Sequence, residues 1–327
     1  MTINHTCVRS IIFTCLIVLL IFTSGCAVQT MTVAPSPIPT NTPLTATAIP
    51  PTPTPAAIPR PPLSAEDVKA LAAEFDKLAS TDAEAWDEGN IELMRQFYAS
   101  DITIHEAHQN FMDVSNPIDH YVDGVDIVIS LLMDFPIKSH PNLEVQLADT
   151  FIGRGIGIVV LDMVGYIDIP TTAYYLYILR GGKIAEFWPY WNSVAAAVDG
   201  WLIPEKLLPD YATAWSSGDP EAVVNLYTPY VVRQDTLFGY DQQRSTAVKE
   251  FAADFFAWYP GVRLELLDSL LWSVKDIGGV YSIHVSDQAG KPCDVRAIIL
   301  IELLRDKIKN ERVLYNVDSL LACGWAQ

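Results

Sequence analysis

Asp162 is the carboxylate whose sequence surroundings give the clearest reason to consider chemistry. It lies inside the apolar run Ile158–Val164, where a charged group is costly unless it is paired or lines a pocket. Two interpretations stay open for this residue. Asp162 is either an acid–base group with a raised pKa, or a side chain that faces solvent on the open side of a sheet.

Two imidazoles lie close together in the segment His105-Glu106-Ala107-His108. On a strand, positions 105 and 108 point to opposite faces, and the helical His-Glu-x-x-His spacing of zinc enzymes is absent. Structural or loop histidines therefore explain this segment better than a zinc site. The sequence also contains no glycine-rich phosphate loop, nucleophile elbow or Cys-x-x-Cys motif, so we expect neither a metal nor another cofactor.

The N-terminal residues predict export and attachment to a bacterial membrane. After Arg9, the apolar segment Ile11–Phe22 has about twelve residues, too few for a stable transmembrane helix. The small residues that follow it, before Cys26, resemble the lipobox of bacterial lipoproteins, except that Thr23 stands where leucine is usual. We expect a signal peptide at residues 1–25, a lipidated Cys26 and an extracytoplasmic globular part. An ordinary cleaved signal, or an uncleaved anchor, is the alternative.

Residues 26–63 predict an extended tether between the membrane and the folded body. Of the 22 prolines in the chain, 11 lie between Ala34 and Leu63, and Arg60 is the only charged residue of this stretch. Proline fixes φ and removes a backbone donor, so such a segment forms neither a helix nor a sheet.

The charge distribution argues against a nucleic-acid partner. The chain has 21 basic and 39 acidic residues, a formal net charge of −18, and all of its acidic residues follow position 62. Phosphate backbones are held by clustered lysine and arginine. Because 50% of the residues are hydrophobic, the chain is also too apolar for a disordered acidic protein.

An internal repeat divides the folded part into two units. Residues 83–98 match residues 212–227 at a constant offset of 129, and the identical positions are two Ala, one Trp, one Gly, one Glu and one Tyr. The conserved spacing of these different residue types exceeds what shared composition explains. We therefore expect one unit at residues 64–200 and a second at residues 201–327.

Both units have the same predicted order: two helices, a short strand, a third helix and four longer strands. In the first unit, the third helix and the longer strands are expected at Val125–Phe135, Leu143–Ile152, Ile156–Ile167, Ala173–Leu179 and Ile184–Trp191. In the second unit, a short helix begins after Asp219 and ends by Tyr227. The other elements of that unit are expected at Pro204–Trp215, Val231–Asp235, Ser245–Tyr259, Val262–Trp272, Gly279–Val285, Val295–Leu304 and Ile308–Val317.

This order of elements resembles that of the nuclear transport factor 2-like, or SnoaL-like, family. The resemblance rests on the motif Trp-x-x-Gly-[Asn/Asp]-x-Glu, which begins at Trp86 and at Trp215, and on the closing strands Lys183–Tyr190 and Lys307–Tyr315. It implies an α+β chain of two tandem cone-shaped units, each with helices packed in a curved antiparallel sheet around an apolar pocket. It also implies that such units pair through their sheets, as an internal pseudo-dimer or as a homo-oligomer.

In the second unit, Tyr211 and Asp235 resemble the catalytic pair of the ketosteroid isomerases. There a tyrosine hydroxyl stabilises an enolate oxygen, and a carboxylate beside an apolar pocket moves the proton. The second oxyanion donor of those enzymes is a protonated carboxyl on a late strand, and the matching stretch here, Ala297–Ile301, is apolar. The equivalent positions of the first unit are Asp82 and Glu106. Alternatively, Tyr211 closes the mouth of the cone and Asp235 caps a loop.

The cone pockets implied by the resemblance supply a set of candidate ligand contacts. The aromatic closing strand at Phe187–Trp191 suits a flat apolar ligand, but alternate side chains of a strand face opposite sides, so core or interface roles stay open. The candidate ligand contacts are His105, Glu106, Tyr166, Trp188, Trp215, Phe238 and Phe255.

Two cysteines remain in the exported body, Cys293 and Cys323. Outside the reducing cytosol, such a pair favours a disulfide, with free buried thiols as the alternative. In a final hairpin centred near Ile308, Cys293 faces Cys323, and in one centred near residues 306–307 it faces Leu320.

Three functions are consistent with these features. The first is a surface lipoprotein that binds a small, largely apolar ligand without converting it. The second is an acid–base isomerase, cyclase or hydratase that uses Asp235 with Tyr211, or Asp162. The third is an interaction module with both cones filled by side chains and with sheets that serve assembly. The first two need a cavity that contains a polar group, and the third needs none.

Overall fold

The computed structural model describes residues 63–106, 120–132, 140–166, 170–192, 206–273, 275–286 and 290–325. The expected signal peptide, Cys26 and the tether lie outside these residues. So do the end of the helix expected at Val125–Phe135 and the start of the helix expected at Pro204–Trp215. Residues 63–192 are called the first half below, and residues 206–325 the second half.

The first half begins with a long helix whose two ends are set by local sequence. The Ser64 hydroxyl oxygen accepts from the Asp67 backbone N–H at 3.1 Å, and the Asp67 carboxylate accepts from the Ser64 N–H at 3.2 Å, which is a capping box. Gly89, with φ of 61°, ends the helix in the left-handed region. The elements of this half are α1 (Ala65–Glu88), α2 (Ile91–Phe97), β1 (Tyr98–Glu106), β2 (His120–Asp123), α3 (Val125–Leu132), β3 (Glu144–Gly153), β4 (Ile156–Val164), β5 (Thr171–Arg180) and β6 (Lys183–Asn192).

The second half has the same order of elements and adds a short C-terminal helix. Asp219 caps α5, with Pro220 at its first position, as the sequence predicts. The elements of this half are α4 (Leu207–Ser216), α5 (Pro220–Val224), β7 (Tyr227–Asp235), β8 (Tyr240–Gln243), α6 (Ser245–Trp258), β9 (Arg263–Leu271), β10 (Asp276–Ser286), β11 (Pro292–Leu304), β12 (Lys307–Tyr315) and α7 (Val317–Ala322).

All described strands belong to one sheet that is shared by the two halves. The antiparallel meanders β3–β6 and β9–β12 join at two places, where Trp191 lies opposite Leu271 and where Tyr315 lies opposite Ile152. These short pairings close the eight strands into a ring. In each half one more strand pairs in parallel with the closing strand: β1 with β6, and β7 with β12.

The two faces of the sheet bury two apolar clusters. On β5, Tyr175 and Tyr177 belong to the larger cluster, which includes the buried faces of the helices. Leu176 points the other way, into a smaller cluster that it shares with Leu270 and Ile298 of the second half. Strand alternation therefore gives each half a helix-covered interior and a second face that packs against the other half.

The short strands β2 and β8 were not predicted, and several boundaries differ from the sequence prediction, two of them for an evident local reason. Helix α5 ends at Val224 rather than Tyr227, because Tyr227 already pairs with Ile308 as the first residue of β7. Strand β12 ends at Tyr315, because the Asn316 side chain accepts from the Ser319 N–H at 2.9 Å and begins α7. Helix α7 was not predicted.

None of the helices in the described ranges combines the length and the apolar character needed to cross a bilayer.

Candidate ligand-binding site

The interior of the second half contains a cavity of about 230 Å³. Its walls come from α4, α6, the sheet and the segment after α7. Ten aromatic side chains line it: Tyr211, Trp215, Phe238, Tyr240, Phe251, Phe255, Trp258, Tyr259, Tyr315 and Trp325. The aliphatic part of the wall is Leu264, Ile283, Ile299 and Val313. The interaction-module hypothesis requires an interior filled by side chains. The interior of the second half is not filled in this way, because it contains this cavity.

The three aromatic residues expected to contact a ligand in this half all line the cavity. Trp215 ends α4 and meets the edge of Phe255 from α6, with ring centroids 5.7 Å apart. Phe238 follows β7 and packs against Tyr315 at 5.5 Å. These contacts hold the rings of the wall in fixed orientations.

The lining of the cavity is least buried on α6 and the C-terminal segment. Trp258 is 54% exposed, and the ring of Tyr259 lies 4.9 Å from that of Trp325. The indole Nε1 of Trp325 is buried and has no hydrogen-bond partner in the described part of the chain.

Trp325 is held in place through a disulfide. Cys323 follows α7, two residues before Trp325, and it is bonded to Cys293 of β11 with a Cα–Cα distance of 5.6 Å. The disulfide was expected from the sequence, but its geometry differs from the one considered there. The two cysteines do not lie opposite each other on the strands of a hairpin. Cys293 lies opposite Val285 of β10, and Cys323 reaches it from the helix that follows β12. The bridge therefore attaches the C-terminal helix to the sheet.

Asp235 is the carboxylate in the cavity wall. It ends β7 and is 3% exposed. One of its oxygens accepts from the Phe238 backbone N–H at 2.9 Å, and the other accepts from the Tyr315 hydroxyl at 2.7 Å. Burial raises the pKa of Asp235 above its ordinary value, while the charge of Arg233 and the Tyr315 hydrogen bond oppose this change. Asp235 therefore caps the loop after β7 and lines the cavity at the same time.

Tyr211 also lines the cavity, but its hydroxyl is engaged elsewhere. It donates at 3.1 Å to Glu311 of β12, a carboxylate that is 1% exposed. The Tyr227 hydroxyl donates to the second oxygen of Glu311. The Tyr211 hydroxyl therefore donates to Glu311 and not to Asp235. The hydroxyl that donates to Asp235 is that of Tyr315.

Arg233 balances the charge of Glu311 inside the wall. Its Nε lies 2.8 Å from a Glu311 oxygen, and its Nη1 donates to the Gln242 side chain at 3.0 Å. The guanidinium also lies over the rings of Phe251, at 4.4 Å, and Trp215, at 5.3 Å. The sequence analysis identified neither Arg233 nor Glu311 as part of a site. Both lie in strands of mixed polar and apolar residues, and the parallel register of β7 and β12 brings them together.

The first half buries a different carboxyl, Asp82 of α1. It is 0% exposed, and it accepts from the Tyr98 hydroxyl at 3.2 Å and from the Tyr177 hydroxyl. Burial raises the pKa of Asp82 to about 7, against the effect of these hydrogen bonds. The side chain of Glu106, its expected partner in this half, lies outside the described part of the structure.

The other predicted site residues of the first half do not form one site. Asp162 is exposed and accepts from the Thr172 hydroxyl at 2.8 Å, which agrees with the solvent-facing interpretation. His105 stacks on Trp188 at 4.0 Å, and Trp188 packs against the cluster between the halves, not in the helix-covered interior. Tyr166 stacks separately, on Trp191 at 5.2 Å.

Within the described residues, no group of three or more His, Cys, Asp and Glu side chains is placed to hold a metal ion. The chemistry available to the cavity is that of Asp235. In its ionised form it attracts a cation or accepts a proton, and in its protonated form it donates a hydrogen bond.

No protein-family model and no curated protein matches this sequence. Among solved structures, the chain is similar to a hypothetical protein with a ketosteroid isomerase-like fold from Catenulispora acidiphila, in complex with trimethylamine. The identity is 16% and the TM-score 0.35, over 38% of this chain and 96% of that one. It is also similar to a protein described as a SnoaL-like polyketide cyclase from Shewanella putrefaciens, at 12% identity and a TM-score of 0.34, over 41% of this chain and 94% of that one. A third likeness is to IdmH, described as a polyketide cyclase from Streptomyces antibioticus, at 13% identity and a TM-score of 0.33, over 38% and 99% of the two chains.

Proposed function

We propose that this protein is an exported, lipid-anchored binding protein that holds a small, largely apolar molecule in the aromatic cavity of its second half. The observation that supports this function is the cavity itself: about 230 Å³, with ten aromatic side chains and one buried carboxyl in its wall. Cavities of this composition are typical of small-molecule sites, in which apolar walls supply affinity and a few polar groups fix orientation.

The wall chemistry favours an apolar molecule over a strongly polar one. Arg233 and Glu311 are buried and engaged with each other, with Gln242 and with the Tyr211 and Tyr227 hydroxyls. Breaking these contacts to serve a ligand would leave buried polar groups unsatisfied. A ligand therefore meets ring faces, aliphatic side chains and the carboxyl of Asp235.

The proposal includes a duplicated nuclear transport factor 2-like, or SnoaL-like, unit. It is supported by the nine elements that occur in the same order in both halves. The registers also correspond: Tyr98 lies opposite Ile184 in the first half, and Tyr227 lies opposite Ile308 in the second. Because the two meanders pair edge to edge within one sheet and bury a shared cluster, the chain would be an internal pseudo-dimer of these units.

Binding is tested by the tryptophan fluorescence of the mature protein during titration with tert-butylbenzene, a small neutral aromatic hydrocarbon. Trp215, Trp258 and Trp325 line the cavity, so a bound ring should change their emission. Ile299→Phe fills the cavity from β11 and should abolish the change. Leu304→Phe adds a ring to the same strand at an exposed position and serves as the control. A response that Ile299→Phe leaves intact would contradict binding in this cavity.

Membrane attachment is tested separately, on the full-length chain. The expected result is partition into the detergent phase, which Cys26→Ser should abolish. An unchanged partition of Cys26→Ser would reject the lipid anchor, without bearing on the cavity.

An acid–base enzyme is the second candidate, and it is favoured by one observation. Asp235 combines burial in an apolar wall, a raised pKa and a neighbouring hydroxyl from Tyr315, which suits isomerase, cyclase or hydratase chemistry. A screen for hydrogen–deuterium exchange at the α-carbon of cyclic ketones tests this function. Activity that Asp235→Asn removes would establish it, and activity retained by Asp235→Asn would exclude Asp235 as the base.

A further inference from the structure

Among the described residues around the cavity, one carboxyl has no cation in an ion pair with it. Three charged side chains lie in or next to the wall: Arg233 and Asp235 line the cavity, and Glu311 is paired with Arg233. The guanidinium of Arg233 is 2.8 Å from Glu311, and this pair is neutral as a unit. The described hydrogen bonds of the Asp235 carboxyl come from a backbone N–H and a tyrosine hydroxyl, which are neutral donors. The ionised site therefore carries a net charge of −1.

The less buried part of the cavity lining is aromatic and can attract a cation. An aromatic face carries negative electrostatic potential, and the interaction with a cation strengthens when water is excluded. Arg233 already uses this attraction, because its guanidinium covers Phe251 and Trp215. Five other aromatic side chains of the wall have no such cation on them among the described residues: Tyr240, Phe255, Trp258, Tyr259 and Trp325.

We infer that the molecule held in this cavity carries one organic cation, an ammonium group on a small apolar body, whose charge is met by Asp235 and by the aromatic wall. This inference rests on the proposed binding function and adds the charge class of the ligand. The apolar body fits the aliphatic residues and rings of the interior, and the ammonium matches the single uncompensated carboxylate.

The electrostatics of Asp235 are consistent with such a ligand. The charged or titratable groups that face it are Arg233 from its own strand and Tyr315 and Glu311 from β12. Burial disfavours the ionised form of Asp235 while the cavity is empty. A cation in the cavity favours that ionised form and replaces part of its lost solvation.

The test compares two probes of nearly the same shape. Phenyltrimethylammonium carries a quaternary nitrogen where tert-butylbenzene carries a quaternary carbon. We expect the cation to bind the wild-type protein at least tenfold more tightly in the fluorescence titration. If the hydrocarbon binds as well as the cation or better, the inference about charge is wrong, and the proposed apolar binding function stands. If neither probe binds, the proposed function itself fails.

Variants locate the preference at the cavity. Asp235→Asn should sharply lower the ratio of the affinities for the cation and the hydrocarbon, and leave only the preference due to the aromatic wall. Asp306→Asn removes a carboxylate from an exposed turn and should leave the ratio unchanged, which controls for the acidity of the whole chain. Because Asp235→Asn disturbs buried hydrogen bonds, Trp258→Leu supplies a second variant at a half-exposed position. Trp258→Leu should weaken the binding of the cation more than the binding of the hydrocarbon. A ratio unchanged in both cavity variants would overturn the assignment to Asp235 and the aromatic wall.

Discussion

Each half buries a carboxyl that accepts from the tyrosine at the start of β1 or β7, but the two halves place this acid on different elements. In the first half the acid is Asp82, on α1, and in the second it is Glu311, on β12. Tyr98 and Tyr227 occupy corresponding positions, and each donates to the acid of its own half. The common feature is thus the tyrosine at the start of β1 or β7, with an acid that comes from a helix in the first half and from a strand in the second.

The pairings of β1 with β6 and of β7 with β12 show which residues occupy the position of the ion pair in each half. In the first half Ile104 lies opposite Phe187, and in the second half the corresponding pair is Arg233 opposite Glu311. An apolar pair in the first half and an ion pair in the second thus lie at matching positions of the two registers. The difference teaches that one backbone framework accommodates a buried acid in two ways: neutralised by a proton, with a pKa raised to about 7 at Asp82, or balanced by arginine.

Glu311→Gln should be the most damaging substitution in this comparison. It leaves the guanidinium of Arg233 buried without its counter-charge, and arginine cannot lose its proton to compensate. We expect a loss of about 3–5 kcal/mol in the free energy of unfolding, measured by urea denaturation. Arg233→Met should cost less, because the Glu311 carboxyl keeps its hydrogen bonds from the Tyr211 and Tyr227 hydroxyls.

The double variant Arg233→Met with Glu311→Gln decides whether charge is the cause. With both charges gone, the protein should be more stable than Glu311→Gln alone, since replacement of a complete buried ion pair is often nearly neutral. A double variant less stable than Glu311→Gln would show that the two losses add, and that the pair is not the unit that matters.

Asp82→Asn should remove a pH dependence that belongs to the first half. The folded-state pKa of Asp82, about 7, lies above the ordinary value of 3.8, so the folded protein binds this proton more tightly than the unfolded chain. The stabilising contribution is complete below pH 3.8 and is lost as the pH rises to about 7. The shift of roughly three units corresponds to about 4 kcal/mol.

The measurement is the urea midpoint of wild type and variant between pH 4 and 8. Relative to wild type, Asp82→Asn should gain stability as the pH rises through this range. Glu84→Gln removes an exposed carboxylate from the same helix and should keep the wild-type slope. A slope retained in Asp82→Asn would mean that another group binds the proton.

Element order and the aromatic part of the cavity were accessible from sequence, but the polar network was not. Hydrophobic periodicity, Gly89 and Pro220 mark helices and strands locally, and the repeat supplied a second copy of the same pattern. By contrast, Arg233 and Glu311 are 78 positions apart in sequence, and they meet only because β7 and β12 pair in parallel. Lys307, Lys309 and Arg312 surround Glu311 in a strand rich in charge, so nothing local marks it as buried.

The variants Tyr98→Phe and Tyr227→Phe compare the two halves most directly. Their expected effect on the free energy of unfolding is the smallest of those considered. Tyr227 donates to the ion-paired Glu311 and also accepts from the Trp215 indole N–H at 3.3 Å. Hydrogen bonds to charged groups contribute about 1.5–3 kcal/mol, and neutral ones about 0.5–1.5. At pH 6, where Asp82 is mostly protonated, Tyr98→Phe should cost the smaller amount and Tyr227→Phe the larger. At pH 8 Asp82 is mostly ionised, so the loss for Tyr98→Phe should increase and the two variants should converge. Equal losses at pH 6 would contradict the distinction between a protonated acid in the first half and an ion-paired acid in the second.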